Sequence, residues 1–116
     1  MKIIGREDMH VVVFEVTVKP DVGHRYFDIA AELKPELEKI DGFLSVERFE
    51  SMLTPYKYLS LSFWRDEDSV ARWREHGMHQ SAQMLGKSEI FADFRISVAE
   101  IKRQYTLADR TDRTDR

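Results

Sequence analysis

The residues best suited to chemistry in this chain sit in one stretch, Trp73-Arg74-Glu75-His76-Gly77-Met78-His79-Gln80-Ser81-Ala82-Gln83. His76 and His79 are three apart and share a face if a helix runs unbroken through Gly77, which is the spacing of a two-histidine metal site. The sequence places no third ligand beside them, so no metal is assigned. His79 falls just past the glycine, where a helix is interrupted and a side chain can turn into a cleft. Its imidazole titrates near neutrality, as a general base or hydrogen-bond partner requires. A surface histidine is the ordinary alternative. Trp73 follows Val70 at the spacing of a buried stripe, which makes it either core or the wall of a pocket.

Two further residues are candidates. Trp64 ends a β-patterned segment on the side opposite Leu61 and Phe63, as a pocket wall, a lid over the sheet edge or a subunit contact. Arg95 lies between Phe94 and Ile96, where it could meet an anionic ligand or pair with Asp66, Asp68 or Asp93. Other chemistries are missing from the sequence. There is no Gly-rich phosphate loop, no nucleophile elbow and no His/carboxylate pair at zincin spacing. With no cysteine at all, disulfides, thiolate catalysis, zinc fingers and iron–sulfur clusters are excluded. The net charge of -3, with acids and bases interspersed, argues against a nucleic-acid partner.

The elements that must position these residues follow from periodicity. His10 to Lys19 reads as a strand with Val12, Phe14, Val16 and Val18 on one face and Val11 and Val13 on the other. Asp21 is a reasonable N-cap for a helix to about Ile40, in which Tyr26, Ile29, Ala30, Leu33, Leu37 and Ile40 recur at helical spacing. Pro35 should kink or split that helix. Asp41-Gly42 is a turn, and strands follow from Phe43 to Ser51 and from Tyr58 to Trp64, joined through Thr54-Pro55. Asp66 to Asp68 caps a second helix that bends at Gly77 and ends at Gly86. A last strand runs from about Phe91 to Tyr105, and its apolar phase flips at Ala99, which a β-bulge would explain.

This order is α+β, βαββαβ, a ferredoxin-like antiparallel sheet with both helices on one face. At 116 residues it is one domain over residues 10–105, with an N-terminal extension (1–9) and an Asp-Arg-Thr tail (106–116) expected to be disordered. Helices cover only one face of such a sheet. Val11, Val13 and part of the last strand therefore need another cover, and a second copy of the chain is the expected one. The apolar stretch at Ile3-Ile4 is far too short for a signal peptide, and no segment approaches a membrane span, so a soluble cytoplasmic protein is expected.

Taken together, Asp41-Gly42-Phe43, Phe63-Trp64-Arg65-Asp66-Glu67, Trp73, His79, Ala82-Gln83, Gly86 and Val98-Ala99-Glu100-Ile101 with Arg103 and Tyr105 resemble the antibiotic biosynthesis monooxygenase domain family. The resemblance covers roughly residues 10–105 and implies a dimeric α/β barrel with one cleft per subunit, between sheet and helices. It implies oxygenases that oxidise flat aromatic, quinol- or polyketide-type molecules with no cofactor. His79 would then be base or hydrogen-bond partner, Trp73, Trp64 and Phe14 the walls, and Gln83 and Arg95 further ligand contacts.

A second branch of the family binds and degrades heme, with a histidine iron ligand, a tryptophan on the second helix and an asparagine on the first strand. There His79 would ligate the iron, beside Trp73. This chain has no asparagine, Phe14 lies about where it would fall, and His79 comes roughly one helical turn early, with Ala82 in its place. A third expectation, from a different class, is a non-catalytic dimer that uses the same cleft only to hold a ligand.

Overall fold

The computed structural model describes residues 8–111. Strand β1 (His10–Val18) leads to helix α1 (His24–Glu38), then β2 (Phe43–Glu50) and β3 (Lys57–Trp64). Helices α2 (Glu67–Arg74) and α3 (Gly77–Leu85) follow, then one π-helical turn (Gly86–Ile90), β4 (Phe91–Glu100) and a short α4 (Leu107–Thr111). The sheet order is β2-β3-β1-β4, every pair antiparallel. This is the ferredoxin-like α+β arrangement that the element order demands.

Alternation along β1 and β3 sorts the side chains. Val16, Val18, Ser62 and Trp64 are buried under the helices, whereas Val11, Val13, Leu59, Leu61 and Phe63 are half-buried on the bare face. Across that face Val11 pairs with Phe63 and Val13 with Leu61. Glu15, on the same face, accepts from Arg95 Nε at 2.8 Å and lies 3.5 Å from Lys57 Nζ. The hydrogen bond from Arg95 holds the Glu15 carboxyl below its usual range.

Several boundaries differ from those expected. Asp21 does not cap α1. Gly23 holds the N-cap position with no side-chain bond, and backbone turns from Val22 to Lys19 and from Arg25 to Val22 feed the helix instead. The helix also runs unbroken through Pro35. The bond that proline forgoes would end on Ala31, and both residues are exposed, so solvent serves that carbonyl and the backbone need not bend.

β4 stops at Glu100 because its partner β1 begins at His10, and the last bond of the ladder is Ile101 N to Met9 O at 2.9 Å. No bulge lies at Ala99. The register is unbroken there, and the irregularity falls at Thr17/Val18, at the other end of the strand pair. Residues expected to be disordered after 105 include α4, closed by Thr106 N and Oγ1 donating to Asp109 Oδ2 at 3.0 Å each. The remainder of the tail from 112, and of the N-terminal extension before Asp8, lies outside the described residues.

The turn into β2 does follow the sequence. Gly42 has φ +99, and a Cβ there would also run into the Ser69 side chain, so only glycine fits. Asp41 accepts both Nη groups of Arg65 at 3.1 and 2.8 Å. Asp66 caps α2 by accepting from Ser69 N at 2.9 Å, and the hydrogen bonds from Ser69 hold its carboxyl below its usual range. These bonds set where α2, and therefore Trp73, begins.

Candidate active site

The core is built as two separate clusters. Val16, Val18, Tyr26 and Ile90 form one, with Phe14, Ile29, Tyr58, Phe91 and Phe94 packed on it. Leu37, Trp64 and Val70 form the other, with Val12, Ile40, Phe43, Val46 and Trp73. Between them the helix-facing side of β3 reads Tyr58, Ser60, Ser62, Trp64, two small hydroxyls between two large rings. Ala30, Ala31 and Ala82 are equally small where α1 and α3 face that gap. Small side chains from both layers leave a cleft of about 640 Å³, within the range that holds a small organic ligand. Val12 and Phe14 on β1 and Ile96 and Val98 on β4 line it too.

One wall is aromatic. Trp73 lines the cleft, and the His79 ring lies against it with centroids 4.2 Å apart. The break between α2 and α3, where Gln80 N bonds to His76 O and His76 N to Trp73 O, brings the start of α3 back beside Trp73. Burial pushes the His79 pKa down to about 4, with a further contribution from His76. The imidazole is thus neutral at pH 7 and offers an unprotonated nitrogen. His76 turns away to α1, where its Nε2 is 3.6 Å from Glu36 Oε1. Among the described residues no group of three or more His, Asp or Glu is placed to hold a metal ion.

Trp73, His79, Phe14 and Gln83 all line the cleft. Two other expected contacts do not. Trp64 is fully buried, donates Nε1 to Ser62 Oγ at 2.9 Å and stacks beneath Trp73 at 6.4 Å. It supports the wall and has no surface in the cleft, because position 64 sits under α2 at the closed end of the sheet. Arg95 is on the bare face and bonds Glu15, not Asp66, Asp68 or Asp93. Strand alternation separates it from Phe94 and Ile96.

The sequence reading missed the polar side of the cleft. Tyr26 is buried on α1, and Arg48 on β2 donates Nε to its hydroxyl at 3.3 Å, with the guanidinium carbon 5.4 Å from the ring centre. Burial raises the Tyr26 pKa, so the hydroxyl keeps its proton. Lys34 and Arg74 also line the cleft, against one carboxylate, Glu47. The available signal was Arg48 on the same strand face as Val46, an inward-facing charge that β alternation exposes.

Fold and site together define a small α+β domain of ferredoxin-like topology with a cleft between sheet and helices. The family model described as antibiotic biosynthesis monooxygenase matches residues 9–84. The chain belongs to that family. It is 41% identical over 93 residues to a jasmonate monooxygenase ABM of Pyricularia oryzae, a match that covers 80% of this chain and 43% of that protein. The chain therefore spans less than half the length of that relative. An uncharacterized protein, YqjZ of Bacillus subtilis, is 26% identical over 103 residues, covering 89% of this chain and 88% of that one.

Among solved structures, SnoaB of Streptomyces nogalater, a cofactor-independent oxygenase solved as a mutant, superposes with a TM-score of 0.72 at 12% identity, covering 84% of this chain and 96% of that one. Rv0793 of Mycobacterium tuberculosis gives 0.76 at 11% identity, over 85% of this chain and 100% of that one. Likeness at that identity establishes the fold alone. Among the described residues no helix is long and apolar enough to cross a membrane.

Proposed function

We propose that this chain is a monooxygenase that binds a small, flat, largely apolar molecule in the cleft and oxidises it with dioxygen, needing neither metal nor flavin. The observation that carries this reading is the pairing of a neutral imidazole, His79, with the Trp73 indole in the wall of one apolar cleft. Trp73 and Phe14 would orient a flat ring from opposite layers. A phenolic or enolic hydroxyl set against His79 shares its proton with the unprotonated nitrogen. With a pKa near 4, His79 is a hydrogen-bond acceptor for that hydroxyl and too weak a base to remove its proton completely.

The electron-rich ring then passes one electron to dioxygen. The resulting pair of radicals joins at carbon as a hydroperoxide, which loses water to leave a carbonyl. In balance, a CH₂ carbon and O₂ become C=O and H₂O. The test is oxygen uptake with a panel of quinols and with jasmonate, the compound in the fungal relative's name, in the presence of a chelator. Chelator-insensitive uptake that drops in His79→Ala supports the reading. Uptake that is unchanged in His79→Ala removes the role given to that residue, and binding with no uptake leaves a ligand carrier.

Heme is the second reading, favoured by the same neutral imidazole facing a cleft, since a histidine nitrogen is an axial donor to heme iron. The donor fits, and His79 would hold the iron with Trp73 beside it. Titration with hemin decides it. A Soret shift that disappears in His79→Ala supports heme, and no shift removes it. For either ligand we propose a homodimer through the bare sheet face, because Val11, Val13, Leu59, Leu61 and Phe63 form an apolar surface that no helix among the described residues covers.

A further inference from the structure

The charged residues of this chain divide by place. Among the described residues seven cations outside the cleft are ion-paired: Arg25 with Glu89, Lys39 with Glu36, Lys57 and Arg95 with Glu15, Arg65 and Arg72 with Asp41, and Lys102 with Glu100. Lys34, Arg48 and Arg74, the three cations that line the cleft, have no carboxylate within ion-pairing distance among the described residues. Lys19 and Arg103 share that state but stand away from it. Three positive groups without an ion pair, set against the single carboxylate of Glu47, leave this largely apolar space with a positive field that favours a negative ligand.

Arg48 is held ready for one. Its Nε donates to the Tyr26 hydroxyl and its guanidinium carbon lies over the Tyr26 ring, which holds the group in place without using the two Nη groups. Tyr26 accepts that bond through its oxygen and still has its own proton to give. We infer that Arg48 and Tyr26 form an anion-binding end of the cleft, so that the natural ligand carries a carboxylate, or another oxyanion, on an otherwise apolar skeleton. The oxyanion accepts from the Arg48 Nη groups and from the Tyr26 hydroxyl, while the skeleton lies along Phe14 toward Trp73. The inference rests on the cleft being the ligand site. It adds the class of ligand, which the apolar walls leave undetermined.

Two probes with one skeleton separate the parts of the argument. Anilinonaphthalene sulfonate has two apolar ring systems and a sulfonate, and phenylnaphthylamine is the same framework without the charge. Fluorescence titration of the full chain should show the sulfonate bound about tenfold or more tightly, the ratio expected of one charge-assisted hydrogen-bonding site. In Arg48→Gln the ratio should fall to near one while phenylnaphthylamine affinity stays as it was, which also reports that the cleft is intact. Arg48→Lys should recover part of the preference, Tyr26→Phe should lower it, and Arg95→Gln on the other face should leave it unchanged. Equal binding of the two probes by the unaltered chain, or a preference that survives Arg48→Gln, overturns the anion site alone. No binding of either probe overturns the cleft as ligand site as well.

Discussion

The imidazole of His79 lies 4.2 Å from the Trp73 indole, centre to centre, although a glycine and a helix break stand between them in the chain. An unbroken helix turns residues six apart by about 600°, which leaves them about 120° apart around its axis. The break at Gly77 is what lets both rings face one cleft. It also buries His79 enough to keep it neutral, which is the state in which it can accept a hydrogen bond.

That burial has a consequence for stability against pH. His79 takes up a proton near pH 6.5 in the unfolded chain but only near pH 4 in the folded one. Between those values the unfolded state binds more protons, so stability falls as the pH is lowered through this window, and His79 adds no further loss below it. Urea denaturation of His79→Gln across the window should give a flatter profile than the unaltered chain. An equally steep profile would mean that other groups carry the effect.

Ser62→Ala should cost about 1–3 kcal/mol, the penalty for leaving a buried donor unsatisfied. Ser62 Oγ is the acceptor for the indole N–H of Trp64, and both residues are buried. The denaturant midpoint checks this. A midpoint unchanged from the parent would show that the indole finds another acceptor.

Ala30→Leu should close the cleft and spare the fold. Ala30 lines the space between the two core clusters, where added methylenes meet room and not packed atoms. Thermal unfolding should be unchanged or later, and both naphthyl probes should lose measurable affinity. Retained probe binding would place the ligand elsewhere.

Leu61→Glu tests the bare face. Leu61 faces away from the helices and pairs with Val13 in the sheet, so in a dimer through this face it would bury a charge. Sedimentation of the unaltered chain at micromolar concentration should give a dimer, and the variant should give a monomer with its circular dichroism preserved. A dimer that survives the substitution would move the interface off this face.

How much of this could be read from the chain alone depends on the range of the forces involved. Strand and helix order, the Asp41-Gly42 turn and the Asp66 cap are local, set by alternation, by the one residue that tolerates φ +99 and by a side chain three residues from its partner. They needed no neighbours, and together with the motif around Trp64 and Trp73 they pointed to the family. Pro35 and the apolar phase at Ala99 were local signals with the wrong outcome. An exposed carbonyl can be served by water, and a strand ends where its partner ends.

The pair at Trp73 and His79 was legible as two candidates in one stretch. Their contact and the neutral state of the imidazole were not, because both come from how α3 packs back on α2. The same holds for the sides taken by Trp64 and Arg95, one under the wall and one behind the sheet. It holds above all for Arg48 and Tyr26, which lie twenty-two residues apart in sequence and meet only when α1 crosses the β2 edge of the sheet. The sequence by itself determined the elements and the chemistry available to them. Tertiary packing decided which side chains border the cleft and how burial sets their charge, because the desolvation that shifts a pKa comes from residues distant in the chain.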